Sequence, residues 1–326
     1  MINQNFYEEI DKLLDVIRAN LEPINFVPQF GLHESNIKYV FCWALEKAGI
    51  TSFKTETSVS IYPQAPHLRG AKGKVKSIVD LVVEISDLLI GFEFKMDSLS
   101  RVSEYDVIAY INNLSCAFFT CLESQKPITF ISSEEISKPK SFWLHEFETF
   151  PKMRPESFGL LTYELTTGFL SILKKPLSVR KAPWRLFNLK SSNEDELKYK
   201  VWRNLRKEGY KVISEPKPKH VDFSEVTLIS APPRRKYIYP YIRRAPKIKR
   251  IDLIAIKKGI TMGVEIKVDL KNLSEVVGQL RLYLSVYDLD LLYLAVPIRL
   301  AGKAKAFISS YMDPQEASRI RILGIT

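Results

Sequence analysis

The sequence has few cysteines and no long apolar run. Its three cysteines, Cys42, Cys116 and Cys121, lack the spacing of zinc or iron–sulfur ligands, so we expect reduced, buried thiols. The longest apolar stretches, such as 291–297, are far shorter than the roughly 20 residues that cross a bilayer. The N-terminus also lacks the basic and then apolar order of a signal peptide. These absences predict a cytoplasmic protein that does not enter a membrane.

Acidic residues are scarce in the second half of the chain. Residues 1–175 hold 18 Lys/Arg and 22 Asp/Glu, whereas residues 176–326 hold 30 and 15, so the net charge of +11 combines −4 with +15. So basic a region repels itself unless a polyanion neutralises it, and the usual polyanions are nucleic acid and anionic membrane. We therefore expect a nucleic-acid partner, with DNA as the first choice. A merely solvated basic surface is the alternative.

One unit of the sequence occurs twice. Glu34, Lys38, Tyr39, Leu45 and Gly49 match Glu194, Lys198, Tyr199, Leu205 and Gly209 at a constant offset of 160. Each set lies in a predicted helix that ends at its glycine. Because strands and helices follow in the same order after both helices, we interpret the chain as a tandem duplication, with coincidental similarity as the alternative. We expect an N-terminal domain at 1–175 that begins with a helix over about 4–21, a linker at 176–192 and a C-terminal basic domain at 193–326.

Apolar periodicity places the elements of each half. In the first half it predicts an extended stretch at 51–61, strands at 78–85 and 88–95, a helix at 103–114, and strands at 117–122 and 158–163. In the second half it predicts an extended stretch at 210–214, strands at 251–256 and 260–267, a helix at 274–286, and strands at 289–296 and 320–325. The expected fold class is α/β, with a mixed β-sheet flanked by helices in each domain.

An Asp…Glu-x-Lys triple occurs in each predicted hairpin. The two triples are Asp80, Glu93 and Lys95 in the first half and Asp252, Glu265 and Lys267 in the second. Residues i and i+2 of a strand share a face, so the Glu and the Lys of each triple project together. A two-residue turn at 86–87 or at 258–259 places each Asp directly opposite its Glu, whereas a longer loop would shift the register.

Two facing carboxylates repel one another, and a hard divalent cation such as Mg²⁺ or Mn²⁺ between them removes the repulsion. A cation of this kind polarises a phosphate and lowers the pKa of an attacking water, while a lysine ammonium stabilises developing negative charge. We therefore expect Asp80 with Glu93, and Asp252 with Glu265, to bind metal in a centre for phosphodiester hydrolysis. A charged solvent face on an ordinary hairpin is the alternative.

The triples resemble the active site of the PD-(D/E)xK, or restriction-endonuclease-like, nuclease superfamily. Its members include archaeal Holliday-junction resolvases, many restriction enzymes and RecB-type nucleases. Gln279 and Tyr283, four positions apart on a predicted helix, are similar to the Gln-x-x-x-Tyr motif of the RecB-like branch. At the corresponding place the first half has Asp106 and Tyr110. Neither half has a proline before its Asp, a departure that the family commonly tolerates.

The resemblance implies further roles for residues outside the triples. In the family the helix that carries Gln279 and Tyr283 flanks the active site, and the glutamine helps to orient the substrate or the nucleophile. The resemblance also makes Glu34 and Glu194 the helix carboxylates that assist metal binding. Glu196 competes with Glu194 for this role, and a plain charge at a helix start explains both equally well.

Cations and aromatics are concentrated just before Asp252. They are Arg234, Arg235, Lys236, Tyr237, Tyr239, Tyr241, Arg243, Arg244, Lys247, Lys249 and Arg250. Such a mixture is typical of phosphate contacts combined with stacking on bases or sugars. A solvated hairpin with a tyrosine core is the alternative. The corresponding first-half segment, 67–76, is shorter and also basic.

Together these patterns predict a DNA endonuclease that uses Mg²⁺ or Mn²⁺. We expect the second centre to be the stronger, because it has Gln279 where the first half has Asp106. The alternatives are a nucleic-acid-binding or assembly protein that keeps the fold without cleavage, and a RecB-like end-dependent exonuclease. The duplication suggests a pseudo-dimer within one chain, and a homodimer is the other possibility.

Overall fold

The part of the chain that the computed structural model describes comprises residues 4–24, 27, 30–61, 75–124, 128–129, 135–136, 138–150, 156–216 and 250–326. Within it, two mixed β-sheets of six and five strands are flanked by helices, which confirms the expected α/β class. In these ranges no helix combines the length and the apolar character needed to cross a membrane. The basic and aromatic residues predicted to bind nucleic acid lie outside the described residues, with the exception of Arg250.

The first half contains four helices and eight strands within the described residues. They are α1 (Gln4–Asn20), α2 (Glu34–Lys47), β1 (Phe53–Ile61), β2 (Val75–Ile85), β3 (Leu88–Lys95), α3 (Glu104–Asn113), β4 (Cys116–Glu123), β5 (Ile128–Thr129), β6 (Glu135–Ile136), α4 (Lys140–Thr149), β7 (Phe158–Glu164) and β8 (Leu170–Lys174). Short 3-10 turns occur at Leu99–Arg101 and Leu186–Asn188. The six-stranded sheet has the order β1-β2-β3-β4-β7-β8, and β5 pairs with β6 alone.

The second half repeats this arrangement. Its elements are α5 (Asn193–Lys207), β9 (Lys211–Ser214), β10 (Leu253–Lys257), β11 (Ile260–Ile266), α6 (Leu273–Val286), β12 (Leu291–Pro297), α7 (Ile298–Tyr311), α8 (Pro314–Ser318) and β13 (Ile320–Ile325). The strand order β9-β10-β11-β12-β13 matches β1-β2-β3-β4-β7. In both sheets the first three strands are antiparallel and the next two pairings are parallel. The repeat in the sequence is therefore also a repeat in topology.

Glycines end the two matching helices. Gly49 follows α2 with a φ of 77°, and Gly209 follows α5 with a φ of 84°, a left-handed conformation that favours glycine. At the other end, the Ser192 side chain caps α5 and the His33 side chain caps α2. The first turn of each helix therefore contains the predicted helix carboxylate, Glu34 or Glu194. After its glycine, each helix is followed by the first strand of its sheet.

Both hairpins have the register that the two-residue turn predicts. Leu81 pairs with Phe92, and Leu253 pairs with Val264. Both ladders end at these pairs, and the Asp and Glu of each triple directly flank them in the sequence, so continuing the register brings each Asp next to its Glu. Ser86 in the first turn has a φ of 51°, and Lys258 and Gly259 in the second have 51° and 81°. These left-handed conformations suit a tight turn between twisted antiparallel strands.

The two halves share a hydrophobic core. One buried cluster contains residues of α1, α2 and the first sheet together with residues of α5 and the second sheet. At its centre Tyr39 of α2 packs against Tyr199 and Trp202 of α5, with ring centroids 5.7 and 5.9 Å apart. The three cysteines are free and buried, as expected. Because apolar surface of both halves is buried in one cluster, the halves stabilise one another.

Candidate active centres

The first centre is built by the β2–β3 hairpin and the start of α2. Asp80 is held by the backbone, since its Oδ2 accepts a hydrogen bond from Phe94 N at 2.8 Å. The Lys95 ammonium donates to Glu93 Oε1 at 2.8 Å, so these two side chains meet on one face of β3 as predicted. Glu34 Oε2 lies 3.9 Å from the Lys95 ammonium. The structure therefore brings the predicted triple and the predicted helix carboxylate together.

The second centre repeats these contacts. Asp252 Oδ2 accepts from Ile266 N at 2.7 Å, and the Lys267 ammonium donates to Glu265. A polar cavity of about 440 Å³ opens here. It is lined by His33, Glu194, Glu215, Arg250, Asp252, Glu265, Lys267, Gln279 and Tyr283. Glu196, the competing carboxylate, is exposed and accepts from Ser191, so Glu194 is the helix carboxylate that faces the centre.

The two tyrosines hold equivalent positions. The Tyr110 hydroxyl lies 2.9 Å from both Glu93 Oε2 and the carbonyl of Ile78, two residues before Asp80. The Tyr283 hydroxyl donates at 3.1 Å to the carbonyl of Arg250, two residues before the second Asp. Each tyrosine therefore connects the helix after the hairpin to the backbone two residues before the Asp.

Gln279 and Asp106 are used differently. Gln279 Nε2 lies 3.5 Å from Glu275 on the same helix, and its side chain lines the cavity of the second centre. Asp106 instead caps its own helix, accepting from the backbone N of Ser103 at 2.9 Å, and it also accepts from the Ser77 hydroxyl. The first half therefore has a helix-capping carboxylate where the second half has an amide facing the centre.

Each centre contains a second lysine that does not belong to the Asp…Glu-x-Lys triple. Lys198 is buried on α5, and its ammonium lies 2.8 Å from Asp252 Oδ1 and 2.9 Å from Glu215 Oε1. Its counterpart Lys38 on α2 is also buried and pairs with Glu56. Sequence reasoning missed both roles, although the repeat of the lysine at an offset of 160, one turn after the helix carboxylate, was a signal for them.

The glutamates that pair with these lysines also correspond. Glu56 in β1 and Glu215 directly after β9 have φ values of 45° and 47°, so the same local backbone conformation recurs in both halves. Their offset is 159 rather than 160, and this one-residue difference hid the correspondence in the sequence. His33 Nδ1 of the first half lies 3.3 Å from Glu215 Oε2, so the first half also contributes to the second centre.

Burial and like charges raise the carboxyl pKa values in both centres. Burial and the neighbouring Glu93 raise the pKa of Asp80 to about 7. Burial and the neighbouring Asp252 raise the pKa of Glu265 to about 8. Glu215 differs, because Lys198 and His33 outweigh the effect of burial and lower its pKa to about 2. In each centre, burial together with a second carboxylate therefore favours the protonated form of one carboxyl group.

This donor chemistry suits a hard divalent cation, because two clustered carboxylates ionise together when a cation lies between them. Asp80 with Glu93, and Asp252 with Glu265, are the pairs that would hold it. Among the described residues, however, no group of three or more His, Cys, Asp or Glu side chains is arranged to hold a metal ion. Lysine ammonium groups lie against Glu93, Glu265 and Asp252 instead. Cation binding would therefore require these ammonium groups to move away.

The raised pKa values predict how stability depends on pH in the metal-free chain. Asp80 and Glu265 keep their protons to a higher pH in the folded state than in the unfolded state, where their pKa values are 3.8 and 4.5. The folded state therefore binds more protons than the unfolded state, and stability falls as the pH rises from about 4 through 7 to 8. Asp80→Asn and Glu265→Gln should reduce this loss and raise the melting temperature at pH 8.

Thermal unfolding in EDTA between pH 5 and pH 8 measures this effect. A gain of 1 kcal/mol in unfolding free energy corresponds to roughly 1–2 °C in a chain of this size. Asp15→Asn, which changes an exposed carboxylate on α1, is the control and should leave the pH dependence unaltered. The assignment of the titrating groups is wrong if both centre variants unfold with the same pH dependence as the original chain.

Comparison with models of known protein families and with curated proteins gave no match to this chain.

Proposed function

We propose that this chain is a metal-dependent nuclease that hydrolyses phosphodiester bonds in DNA and has two restriction-endonuclease-like domains. One observation carries the proposal. The same Asp, Glu, Lys and Tyr occur twice, at equivalent places beside two sheets in which five strands have the same order and directions. A charged solvent face does not explain this recurrence, because Glu265 is buried and only 12% of the Glu93 side chain is exposed.

In this proposal the residues of the second centre have distinct roles. Asp252 and Glu265 hold the cation, which when bound would polarise the phosphate and lower the pKa of the attacking water. The Lys267 ammonium, which reaches Glu265, stabilises negative charge that develops on the phosphate. Tyr283 fixes the backbone at Arg250, so the Arg250 side chain is presented at the rim of the cavity as a phosphate contact.

Two other functions have some support. A nucleic-acid-binding or assembly protein without cleavage is favoured by the contact of Lys198 with Asp252, which neutralises a metal-binding candidate. A RecB-like end-dependent exonuclease is favoured by Gln279, whose side chain lines the cavity beside Tyr283. The basic charge of residues 176–326 suits all three functions, so binding alone does not distinguish them.

Cleavage assays with several substrates test the proposal. The full chain is incubated with supercoiled plasmid, linear duplex, branched DNA, single-stranded DNA and RNA, each with Mg²⁺, with Mn²⁺ and with EDTA. An endonuclease cuts the closed circle only when a divalent cation is present. An end-dependent exonuclease degrades linear DNA and spares the circle. A protein that binds these substrates and cuts none of them in any metal is not a nuclease.

DNA binding should weaken steeply with salt, because cationic side chains displace counterions from phosphates. Replacing Arg234, Arg235, Arg243 and Arg244 by Ala should flatten the plot of log affinity against log salt by up to about 0.9 for each phosphate that the variant no longer neutralises. Fluorescence anisotropy at several salt concentrations in EDTA measures this slope. A matched variant replaces four exposed cations of the first half, Lys12, Arg101, Lys174 and Lys175. Equal slopes in the two variants would show that residues 234–244 do not touch the DNA backbone.

A further inference from the structure

The repeated helices differ at a position that reaches across the halves. Asp195 on α5 occupies the place of Ser35 on α2, although the helix carboxylates and the lysines around them match. The Asp195 side chain is buried, and its Oδ1 accepts hydrogen bonds from the Lys38 ammonium at 2.9 Å and the Tyr39 hydroxyl at 2.8 Å. Both donors belong to α2. A carboxylate of the second half is therefore fixed beside the buried lysine of the first centre.

The two buried lysines are paired differently in the two centres. In the second centre the Lys198 ammonium bridges Glu215 and Asp252, so it lies directly on a carboxylate that is proposed to bind the cation. In the first centre, within the described residues, the Lys38 ammonium forms its ion pairs with Glu56 and Asp195 and not with Asp80. A cation that approaches Asp252 must displace a hydrogen-bonded ammonium group. A cation that approaches Asp80 does not have to displace Lys38.

We propose that Asp195 is a positioning residue of the first centre, which holds Lys38 away from Asp80 and so lets the first centre bind a divalent cation more tightly than the second. The inference rests on the proposed function, which supplies the cation. It does not rest on cleavage, because the quantity at issue is the affinity of each centre for a metal ion. It also implies that the metal affinity of the centre in the first half depends on a residue of the second half.

The affinities of the two centres can be measured separately by calorimetric titration of the full chain with Mn²⁺. Glu265→Gln leaves the first centre intact, and Glu93→Gln leaves the second intact. We expect the Glu265→Gln chain to bind Mn²⁺ more tightly than the Glu93→Gln chain. Adding Asp195→Asn should weaken binding at the first centre by roughly fivefold or more and leave the second centre within about twofold, because a freed ammonium competes with the cation for Asp80.

Two further variants separate positioning from a general structural effect. Glu196→Gln changes the neighbouring acid of α5, which is exposed, and should leave both affinities unaltered. Lys38→Met removes the competing ammonium, so Asp195→Asn should have no effect on Mn²⁺ affinity in that background. Loss of structure would weaken binding whether or not Lys38 is present. If Lys38→Met restores the Mn²⁺ affinity that Asp195→Asn reduces, the lysine is the group through which Asp195 acts.

The outcomes separate this inference from the proposed function. The inference is overturned if Asp195→Asn leaves the Mn²⁺ affinity of the first centre unchanged. It is also overturned if Asp195→Asn weakens this affinity equally with and without Lys38→Met. Tighter binding by the Glu93→Gln chain than by the Glu265→Gln chain also overturns it. Binding that follows the expected pattern in a chain that cuts no nucleic acid overturns the nuclease proposal alone. Absence of Mn²⁺ binding in both single-centre chains overturns both.

Discussion

Glu265→Ala and Lys267→Ala should each lower DNA cleavage by the full chain by about 10²-fold or more, with DNA binding nearly unchanged. In the proposed mechanism the glutamate is one of the two carboxylates that hold the cation, and the lysine supplies the positive charge that meets the developing negative charge on the phosphate. Removal of one such stabilising group typically costs a factor of about 10²–10³ in rate. Asp252→Ala should behave like Glu265→Ala, because the two carboxylates act as a pair.

Initial cleavage rates of supercoiled plasmid at saturating Mg²⁺ measure these losses, and anisotropy in EDTA measures binding. Glu208→Ala and Lys258→Ala are matched controls, because both residues are exposed outside the cavity of the second centre. Both controls should cleave at the rate of the original chain. The proposed mechanism is wrong if the chain cleaves fully in EDTA, or if Glu265→Ala retains full activity.

The hairpins could be predicted in detail because their geometry is local. A two-residue turn fixes the register of the whole antiparallel ladder, so the Asp and Glu of each triple were placed opposite one another from their sequence positions alone. Strand alternation likewise placed each lysine beside its glutamate. These predictions needed no knowledge of how distant parts of the chain pack.

Helices α4 and α7 were missed, although a topological rule would have found them. In each half they lie between two strands that pair in parallel, β4 with β7 and β12 with β13. A parallel pair requires a crossover, usually a helix. The sequence of α7 also has a helical pattern, since Ala301, Ala304, Phe307 and Ile308 recur at helical spacing and lie in or against the core. Periodicity and the crossover rule together therefore indicate a helix here.

The buried lysines could not be placed from sequence because their partners are distant. Lys198 contacts Glu215 and Asp252, which are far apart in the sequence, and Lys38 contacts a residue of the other half. The match between the sequences of α2 and α5 shows that the lysine recurs. Only the packing of α2 against α5 shows which carboxylates the lysine contacts. Asp195 stands on α5 where α2 has Ser35. This single difference places a carboxylate beside Lys38 only because the two helices pack together.

Cation affinity and catalytic rate need not have the same order in the two centres. Tight binding of the cation in the ground state lowers the metal concentration that is needed and does not by itself accelerate the reaction. The rate depends on the groups that act on the reacting atoms, and Gln279 lines the second centre whereas Asp106 caps a helix in the first. We therefore expect the second centre to be catalytically the stronger, as the sequence predicts, even though the first centre is proposed to bind the cation more tightly.

Lys267→Ala should therefore be nearly inactive on supercoiled plasmid, whereas Lys95→Ala should keep most of its activity. The comparison uses matched changes, because both lysines donate to the glutamate of their own triple and both lie two positions after it. Gel assays of the nicked and linear products at saturating Mn²⁺ follow the two strands separately. Saturating metal removes the difference in cation affinity, so what remains is the difference in chemistry. If the two centres are instead equal partners that each cut one strand, either variant will only nick the circle. If Lys95→Ala is the more damaging change, the first centre is the principal one, and the cap formed by Asp106 does not weaken it.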